Sequence, residues 1–238
     1  VALWSGATAN IIGGTGPGHR NVISGNDHNG VWIGGEDTCR NEVVGNYIGT
    51  NADGTAPVGN THDGIRADGS THDNRIEGNV LSGNGSNGIV ISGGAHHNVV
   101  YGNLIGTDKT GTWAIGGQPG GGIDISTGAH HNTVGGPSAA ERNVISGNGV
   151  DGIFIQAQET QYNTVEGNYI GTDVSGTKPI PNPWGIWVLG AGPNNLITGN
   201  LISHNTRQGI EVSESAQGGE IIGNTISHNG EEGIHFAG

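Results

Sequence analysis

The sequence is poor in several residue types, and each shortage excludes a class of protein. A single cysteine, Cys39, excludes an internal disulfide framework and any zinc site built from several cysteines. Only eight Lys and Arg stand against 21 Asp and Glu, so the formal net charge is −13 and nucleic acid and anionic membrane surfaces are unfavourable partners. No apolar run reaches membrane-spanning length, which predicts no membrane insertion, and residues 1–238 show no signal-peptide pattern. Because the chain starts at Val1 and contains no Met, we expect it to be a segment of a longer protein.

Aromatic residues are also scarce, at 5%, whereas glycine supplies 49 of the 238 residues. Such a composition without a sequence repeat is typical of disorder, but this chain has a repeat. One unit, visible in residues 88–105, consists of Gly-Ile-x-Ile, then Asn-x-Val-x-Gly, then Asn-x-Ile. The first segment recurs at Gly30, Gly64, Gly88, Gly122, Gly152, Gly185, Gly209 and Gly233. The first Asn recurs at Asn10, Asn41, Asn74, Asn98, Asn132, Asn163 and Asn195, with Glu220 in the last full unit. The second Asn recurs at Asn21, Asn46, Asn79, Asn103, Asn143, Asn168, Asn200 and Asn224.

This repeat predicts an all-β fold, a right-handed single-stranded parallel β-helix of about eight coils with three short strands per coil. Each segment alternates apolar and polar residues, which is typical of strands, and each is too short for a helix. Equivalent strands of successive coils would lie roughly 4.8 Å apart, and the preference of parallel crossovers favours a right-handed coil. The aliphatic residues are expected inside and the Asn columns at the corners, in a structural role. Since the register runs through the whole chain, we expect a single domain over residues 1–238.

The phrases NVISGN, GNYIGTD and HHNTVGG resemble the right-handed β-helix repeats of the pectate-lyase-like superfamily, found in large secreted or surface-attached bacterial proteins. The resemblance implies the same fold and an extracellular or cell-surface location in a bacterium or archaeon. It leaves the function open, because the same coil occurs in pectate lyases, alginate epimerases, glycoside hydrolases, phage tailspikes and inert stalks. The Asn-Thr-Asp, Asp-Asp and Pro-His-Asp motifs of the pectin hydrolases and alginate epimerases are absent from the sequence.

Three long loops follow third strands in alternate coils: IGTNADGTAPVGN from Ile48, IGTDKTGTWAIGG from Ile105 and IGTDVSGTKPIPN from Ile170. Their equivalent side chains Asn51, Asp108 and Asp173 would lie two coils apart, roughly 9–10 Å. Calcium needs its oxygen ligands at about 2.3–2.6 Å, so the loops are interpreted as Asx-type turns with a Gly at positive φ. Ca²⁺ or another divalent metal stays open as a cofactor, with none assigned.

Functional residues of a β-helix are expected in outward rows that stack from coil to coil. The outward row of the first strands runs Trp32, Arg66, Val90, Asp124, Phe154, Trp187, Glu211 and His235, with Trp184 at an adjacent corner. Exposed aromatic side chains among acids suit the stacking of sugar rings, so Trp32, Phe154, Trp184 and Trp187 are the predicted ligand-binding residues. The alternative is that the long loops cover and bury these rings.

The same face supplies the candidate catalytic residues Asp124, Asp151, Glu211 and His235. Asp124 and Glu211 would lie three coils apart, roughly 14 Å, beyond the ~5–9.5 Å that a two-carboxylate glycosidase uses. Glu211 and His235, or Asp124 and Asp151, would lie one coil apart. No convergent acid–base pair is therefore evident, and catalysis stays an alternative.

The histidines form the most distinctive local pattern. His72, His96 and His130 precede the first-column Asn by two residues in consecutive coils, and Asp73, His97 and His131 precede it by one. Neutral imidazoles in such columns can hold Zn²⁺ or Cu²⁺. The alternative is that repeat duplication copied a residue suited to a tight turn.

Three hypotheses for function follow from these features. The favoured one is a non-catalytic extracellular module, acting as a stalk, an adhesin or a glycan-contacting surface with a polysaccharide partner. The second is a polysaccharide lyase, epimerase or glycoside hydrolase that uses the aromatic and acidic face. The third is a metal-binding, self-assembling or engineered scaffold repeat, because the final GIHFAG segment shows no cap against end-to-end or edge association.

Overall fold

The computed structural model describes residues 1–116, 118–213 and 215–237, so Gly117 and Gly238 of the segments quoted above, and Glu214, lie outside the described residues. All regular structure in these ranges is β, as predicted.

The first sheet contains β1 (Ala2–Trp4), β4 (Val31–Gly34), β7 (Ile65–Asp68), β10 (Ile89–Ile91), β13 (Ile123–Ile125), β16 (Asp151–Gln156), β19 (Trp184–Leu189), β22 (Ile210–Ser213) and β25 (Ile234–Phe236). The second contains β2 (Ile11–Gly13), β5 (Glu42–Val44), β8 (Arg75–Glu77), β11 (Val99–Tyr101), β14 (Thr133–Gly135), β17 (Thr164–Glu166), β20 (Leu196–Thr198) and β23 (Glu220–Ile222). The third contains β3 (Val22–Ile23), β6 (Tyr47–Ile48), β9 (Val80–Leu81), β12 (Leu104–Ile105), β15 (Val144–Ile145), β18 (Tyr169–Ile170), β21 (Leu201–Ser203) and β24 (Thr225–Ser227).

Every strand pairs in parallel with its equivalent in the next coil. In the first sheet, for example, Ile89 is in register with both Ile65 and Ile123. Three parallel sheets therefore run along the stack, and the predicted β-helix with three short strands per coil is confirmed. The sequence did not reveal β1, because Ala2 and Leu3 are in register with Trp32 and Ile33, so the position equivalent to Gly30 precedes Val1. In the described part of the chain, no helix is long and apolar enough to cross a membrane.

The core is a set of aliphatic columns, as the alternation predicts. Ile89 and Ile91 of β10, Val100 of β11 and Ile105 of β12 are fully buried, and their counterparts in the neighbouring coils line the same interior. Burial of each such side chain contributes about 1.5–3 kcal/mol relative to exposure. The inward positions thus hold the coils together, and the outward positions are free to differ.

Asparagine ladders fix the corners. In the two predicted columns the amide nitrogen donates to the Oδ1 atom of the next coil wherever that coil supplies an Asn, as from Asn74 to Asn98 at 2.9 Å and from Asn79 to Asn103 at 3.1 Å. A third ladder, between the third sheet and the first, was not predicted. It contains Asn26, Asn60, Asn84, Gln118, Asn148, Asn182, Asn205 and Asn229. Asn26, Asn84, Asn148, Asn205 and Asn229 lie in short GN or HN turns, whereas Asn60, Gln118 and Asn182 stand at the ends of the long loops, so no single sequence pattern marks this ladder.

The long loops are Asx-type turns, as predicted. Asp108 Oδ1 accepts from the backbone N–H groups of Thr112 and Trp113, and Gly111 has a φ of 68°. Although partial burial raises the pKa of Asp108, hydrogen bonds from Thr110 and these N–H groups hold it below its usual value. The loops also contact one another across the intervening coil, since Lys109 N donates to Gly54 O at 2.9 Å. They therefore form a continuous ridge along one corner of the stack.

Candidate functional site

The outward side of the first sheet brings the predicted row together. Strand pairing places Trp32, Arg66, Val90, Asp124, Phe154, Trp187, Glu211 and His235 in successive register positions. We call this surface the first-sheet face. It carries an aromatic cluster towards each end and charged residues between them.

One aromatic cluster consists of Phe154, Trp184 and Trp187. The Phe154 and Trp187 ring centroids lie 4.9 Å apart, and Trp184 stacks on Trp187 at 5.1 Å with an interplanar angle of 19°. The guanidinium of Arg207 lies over Trp184 at 4.3 Å, and Trp187 Nε1 donates to Ser213 Oγ at 2.9 Å. All three rings are half-buried, because they pack on one another and on these partners. The rings are thus held rigidly and present their outer parts to solvent.

The other aromatic cluster surrounds Trp32. Trp4 packs edge-on against Trp32, with ring centroids 4.5 Å apart. The His28 ring stacks on Trp32 at 5.7 Å and on His62 at 4.7 Å. Trp32 Nε1 also donates to Asp68 Oδ1 at 2.9 Å. Sequence analysis identified only Trp32 here. Trp4 and the two histidines lie in β1 and in short turns, which the repeat pattern did not assign to the face.

Between the clusters lies a charged centre around Arg66. Its guanidinium contacts Asp68 at 2.7 Å and Asp63 at 3.2 Å, and it donates to Ser92 Oγ at 3.4 Å. Two carboxylates therefore neutralise the cation that is best placed on the face. An anionic ligand would have to displace or outweigh them.

Asp124 and Asp151 lie on adjacent coils, three register positions apart, because Asp124 is in register with Phe154. The Oδ1 atom of each is buried without a hydrogen-bond partner among the described residues. Desolvation by burial raises the pKa of Asp124, and desolvation together with the nearby Asp124 charge raises the pKa of Asp151 to about 7. A Cβ atom at Gly121 would lie 2.1 Å from Asp151 Oδ1, so the missing side chain at that position makes room for the carboxyl group. A buried carboxyl with these properties can exchange a proton near neutral pH.

Glu211 and His235 are paired. His235 Nδ1 lies 2.8 Å from Glu211 Oε2, and this hydrogen bond raises the pKa of His235. The register places three coil intervals between Asp124 and Glu211, about 14 Å at roughly 4.8 Å per coil. The two carboxyl groups therefore do not form a catalytic pair with each other.

The histidine columns lie at the corner between the first and second sheets, away from the first-sheet face. His96 stacks on His72 and on His130, each at 5.0 Å, and His97 stacks on His131 at 5.1 Å. Among the described residues, no group of three or more His, Cys, Asp or Glu side chains converges to hold one metal ion. The predicted columns of stacked histidines are thus present, and their imidazole rings are nearly parallel from coil to coil.

Comparison with known proteins supports the architecture. A family model described as a right handed beta helix region matches residues 120–238. No curated protein matches the sequence. The solved structures of the periplasmic alginate epimerase AlgG (20% identity, TM-score 0.63, covering 87% of this chain and 42% of that one) and of the A-module of the Azotobacter vinelandii mannuronan C-5 epimerase AlgE4 (17%, 0.64, 91% and 54%) are similar. An alginate lyase from Paenibacillus sp. is similar at 17% identity and a TM-score of 0.54, covering 96% of this chain and 83% of that one. The chain spans about half the length of the epimerases, and at these identities the likeness shows the fold alone.

Proposed function

We propose that this chain, which belongs to the right-handed β-helix family, is a polysaccharide-binding segment of a periplasmic or extracellular protein and uses its first-sheet face. The observation that carries the proposal is the pair of aromatic clusters on one continuous sheet. Trp32 and Phe154 are separated by four coil intervals, about 19 Å at roughly 4.8 Å per coil. An extended chain of sugar rings can contact both clusters at once, with C–H faces against the indoles and hydroxyl groups on the polar centre.

The charge of the face favours a neutral polysaccharide. The chain has a formal net charge of −13, and Arg66 is already engaged by Asp63 and Asp68. A polyuronate would meet repulsion from the whole molecule and from the carboxylates of the face. The similar epimerases and lyase are named for alginate, so the proposed ligand class differs from theirs.

The binding proposal is tested with Trp187→Ala in affinity electrophoresis against neutral polysaccharides and alginate. We expect retardation by a neutral polymer and about a tenfold loss of affinity in the variant, equivalent to about 1.4 kcal/mol. Trp113→Ala is the matched control, because Trp113 is 71% exposed on a long loop. Binding to alginate alone, or an equal loss in both variants, would contradict the proposal.

A second candidate function, polysaccharide modification, is favoured by the carboxyl groups of Asp124 and Asp151, each of which has a buried Oδ1 atom without a hydrogen-bond partner among the described residues. A carboxyl group with a pKa of about 7 is poised for general acid–base chemistry next to the aromatic cluster. The test is incubation with uronate-containing and neutral polysaccharides, with and without Ca²⁺, followed by analysis of chain length and sugar configuration. Activity lost in Asp151→Asn and kept in Glu211→Gln would favour an enzyme with these carboxyl groups at its centre. A complete lack of cleavage and epimerisation would favour the binding segment.

A further inference from the structure

The corner between the first and second sheets projects two consecutive side chains from each coil. His72, His96 and His130 occupy an inner column and pair in register through isolated parallel bridges. The following residue adopts a left-handed conformation, with φ of 54° at His97 and 55° at His131. This backbone reversal turns the second side chain to the same side as the first. The inner imidazoles are half-buried and the outer ones exposed.

The spacing within a coil differs from the spacing between coils. Nδ1 of His96 lies 2.9 Å from Nδ1 of His97, and the His130–His131 pair repeats this distance. Ring centroids of equivalent histidines in successive coils are 5.0–5.1 Å apart and nearly parallel. One ion can therefore contact both nitrogens of a pair, whereas rings of different coils present their nitrogens side by side.

The distance within each pair is short enough for one ion to bind both nitrogens. With metal–nitrogen bonds of about 2.0–2.1 Å, two nitrogens in cis positions at 90° are about 2.8–3.0 Å apart, and two at the tetrahedral angle are about 3.3–3.4 Å apart. The 2.9 Å hydrogen-bond distance of the metal-free pair is close to the cis value, so chelation in cis positions needs little change in the distance between the two nitrogens. Tetragonal coordination by nitrogen and oxygen is typical of Cu(II) and Ni(II).

We propose that the His96–His97 and His130–His131 pairs each chelate one Cu(II) or Ni(II) ion through their Nδ1 atoms, with water in the remaining positions. In the metal-free pair one Nδ1 donates a proton to the other. On binding, the donor ring moves that proton to its Nε2 atom, so that both Nδ1 lone pairs face the ion and no proton leaves the pair. The ions of successive coils would lie about 5 Å apart, at the strand spacing of the stack.

The charges around the histidine pairs favour a bound cation. Asp73 continues the outer column, and the net charge of −13 attracts cations to the molecule.

The experiment is a titration of the metal-free chain with CuCl₂, followed by calorimetry and electron paramagnetic resonance. We expect two equivalents of Cu(II) per chain by calorimetry. At a small fraction of one equivalent, where few chains hold both ions, we expect an axial spectrum with nitrogen hyperfine coupling; at two equivalents, ions about 5 Å apart should couple magnetically and broaden it. His97→Asn combined with His131→Asn removes one nitrogen from each pair, while Asn tolerates the left-handed backbone. In this variant we expect at least a tenfold loss of affinity and the loss of the two-nitrogen signature, with an unchanged circular dichroism spectrum.

His204→Asn combined with His228→Asn is the matched control. These histidines also have positive φ values, 64° and 55°, and stack between coils at 5.1 Å, but each has a serine rather than a histidine before it in its own coil. We expect the control to keep both equivalents. An equal loss in both double variants, a stoichiometry below two, or a spectrum without coordinated nitrogen would overturn the proposal.

Discussion

Asn103→Ala tests whether the ladders, rather than the aliphatic core alone, determine stability. The Asn103 side chain is fully buried and makes five hydrogen bonds. It donates to Asn143 Oδ1, Ile76 O and Tyr101 O at 3.0 Å each, and it accepts from the backbone N–H of Asn79 at 2.9 Å. Truncation leaves that N–H buried without its acceptor.

The magnitude follows from counting what loses its partner. A buried donor left unsatisfied costs about 1–3 kcal/mol, and each lost hydrogen bond contributes about 1 kcal/mol. Asn143 Oδ1 keeps the bond from Asn103 N, and the amide of Asn79 keeps Val43 O, so these groups are still satisfied. With about 1–3 kcal/mol for the Asn79 N–H and about 1 kcal/mol for each lost bond to Ile76 O and Tyr101 O, we expect Asn103→Ala to reduce the free energy of unfolding by about 3–5 kcal/mol, a large part of a typical total of 5–15 kcal/mol.

Asn21→Ala is the control on the same ladder. Asn21 is exposed in the first coil, and its side chain donates one hydrogen bond, to Asn46 Oδ1 at 2.9 Å. The loss should be under about 1 kcal/mol. Urea unfolding of both variants, followed by far-ultraviolet circular dichroism, gives the two midpoints for comparison. If Asn103→Ala were no less stable than Asn21→Ala, the ladder would not carry the assigned energy.

Two further predictions concern glycine and pH. Gly135→Ala should destabilise the chain by at least about 2 kcal/mol more than Gly78→Ala in urea unfolding. Both glycines have positive φ, so the backbone strain is shared and only the packing around the new Cβ atom differs. The new Cβ atom at Gly135 would lie 1.9 Å from Glu166 O, while that at Gly78 meets nothing within 4 Å, so equal midpoints would contradict the packing argument. The pKa of Asp151 is raised to about 7 in the folded state, above that of an unfolded Asp. The contribution of protonated Asp151 to the free energy of unfolding is therefore fully present below about pH 4 and is lost as the pH rises through 7. Asp151→Asn should flatten this dependence, by up to about 4 kcal/mol between pH 4 and 8, and an unchanged pH profile would contradict the assignment.

The repeat predicted the coil because the residues that recur are those that every coil needs for its core and its corners. Ile at inward positions and Asn at two corners must recur, since each contacts its own copies above and below. The third ladder escaped because its Asn residues stand in turns of variable length, and Gln118 replaces one member. Contacts between the long loops, such as Lys109 with Gly54, were also missed, because they join alternate coils and depend on how far each loop extends.

The site residues could be placed in rows from sequence, but their environments could not. Register alone put Phe154 beside Trp187, whereas the stack of Trp184 under Arg207 depends on the path of the corner. The burial of Asp151 had one sequence sign, the glycine at 121 in the equivalent position of the preceding coil. The meaning of this glycine is clear only in the structure, where the carboxyl group of Asp151 occupies the space that a side chain at position 121 would fill.

A regular stack also limits where chemistry can arise on a β-helix. Equivalent side chains of successive coils are held about 5 Å apart, too far for one metal ion or one proton to be shared by parallel rings. Closer approach requires two residues of the same coil, as in the His96–His97 pair at 2.9 Å, side chains that lean towards each other along the stack, as His235 does towards Glu211 at 2.8 Å, or a break in a column. Gly121 is such a break, and the carboxyl group of Asp151 occupies it. In this chain, chemistry is therefore expected at pairs within a coil, at side chains that lean towards each other along the stack and at departures from the repeat, while the repeated columns themselves stabilise the fold.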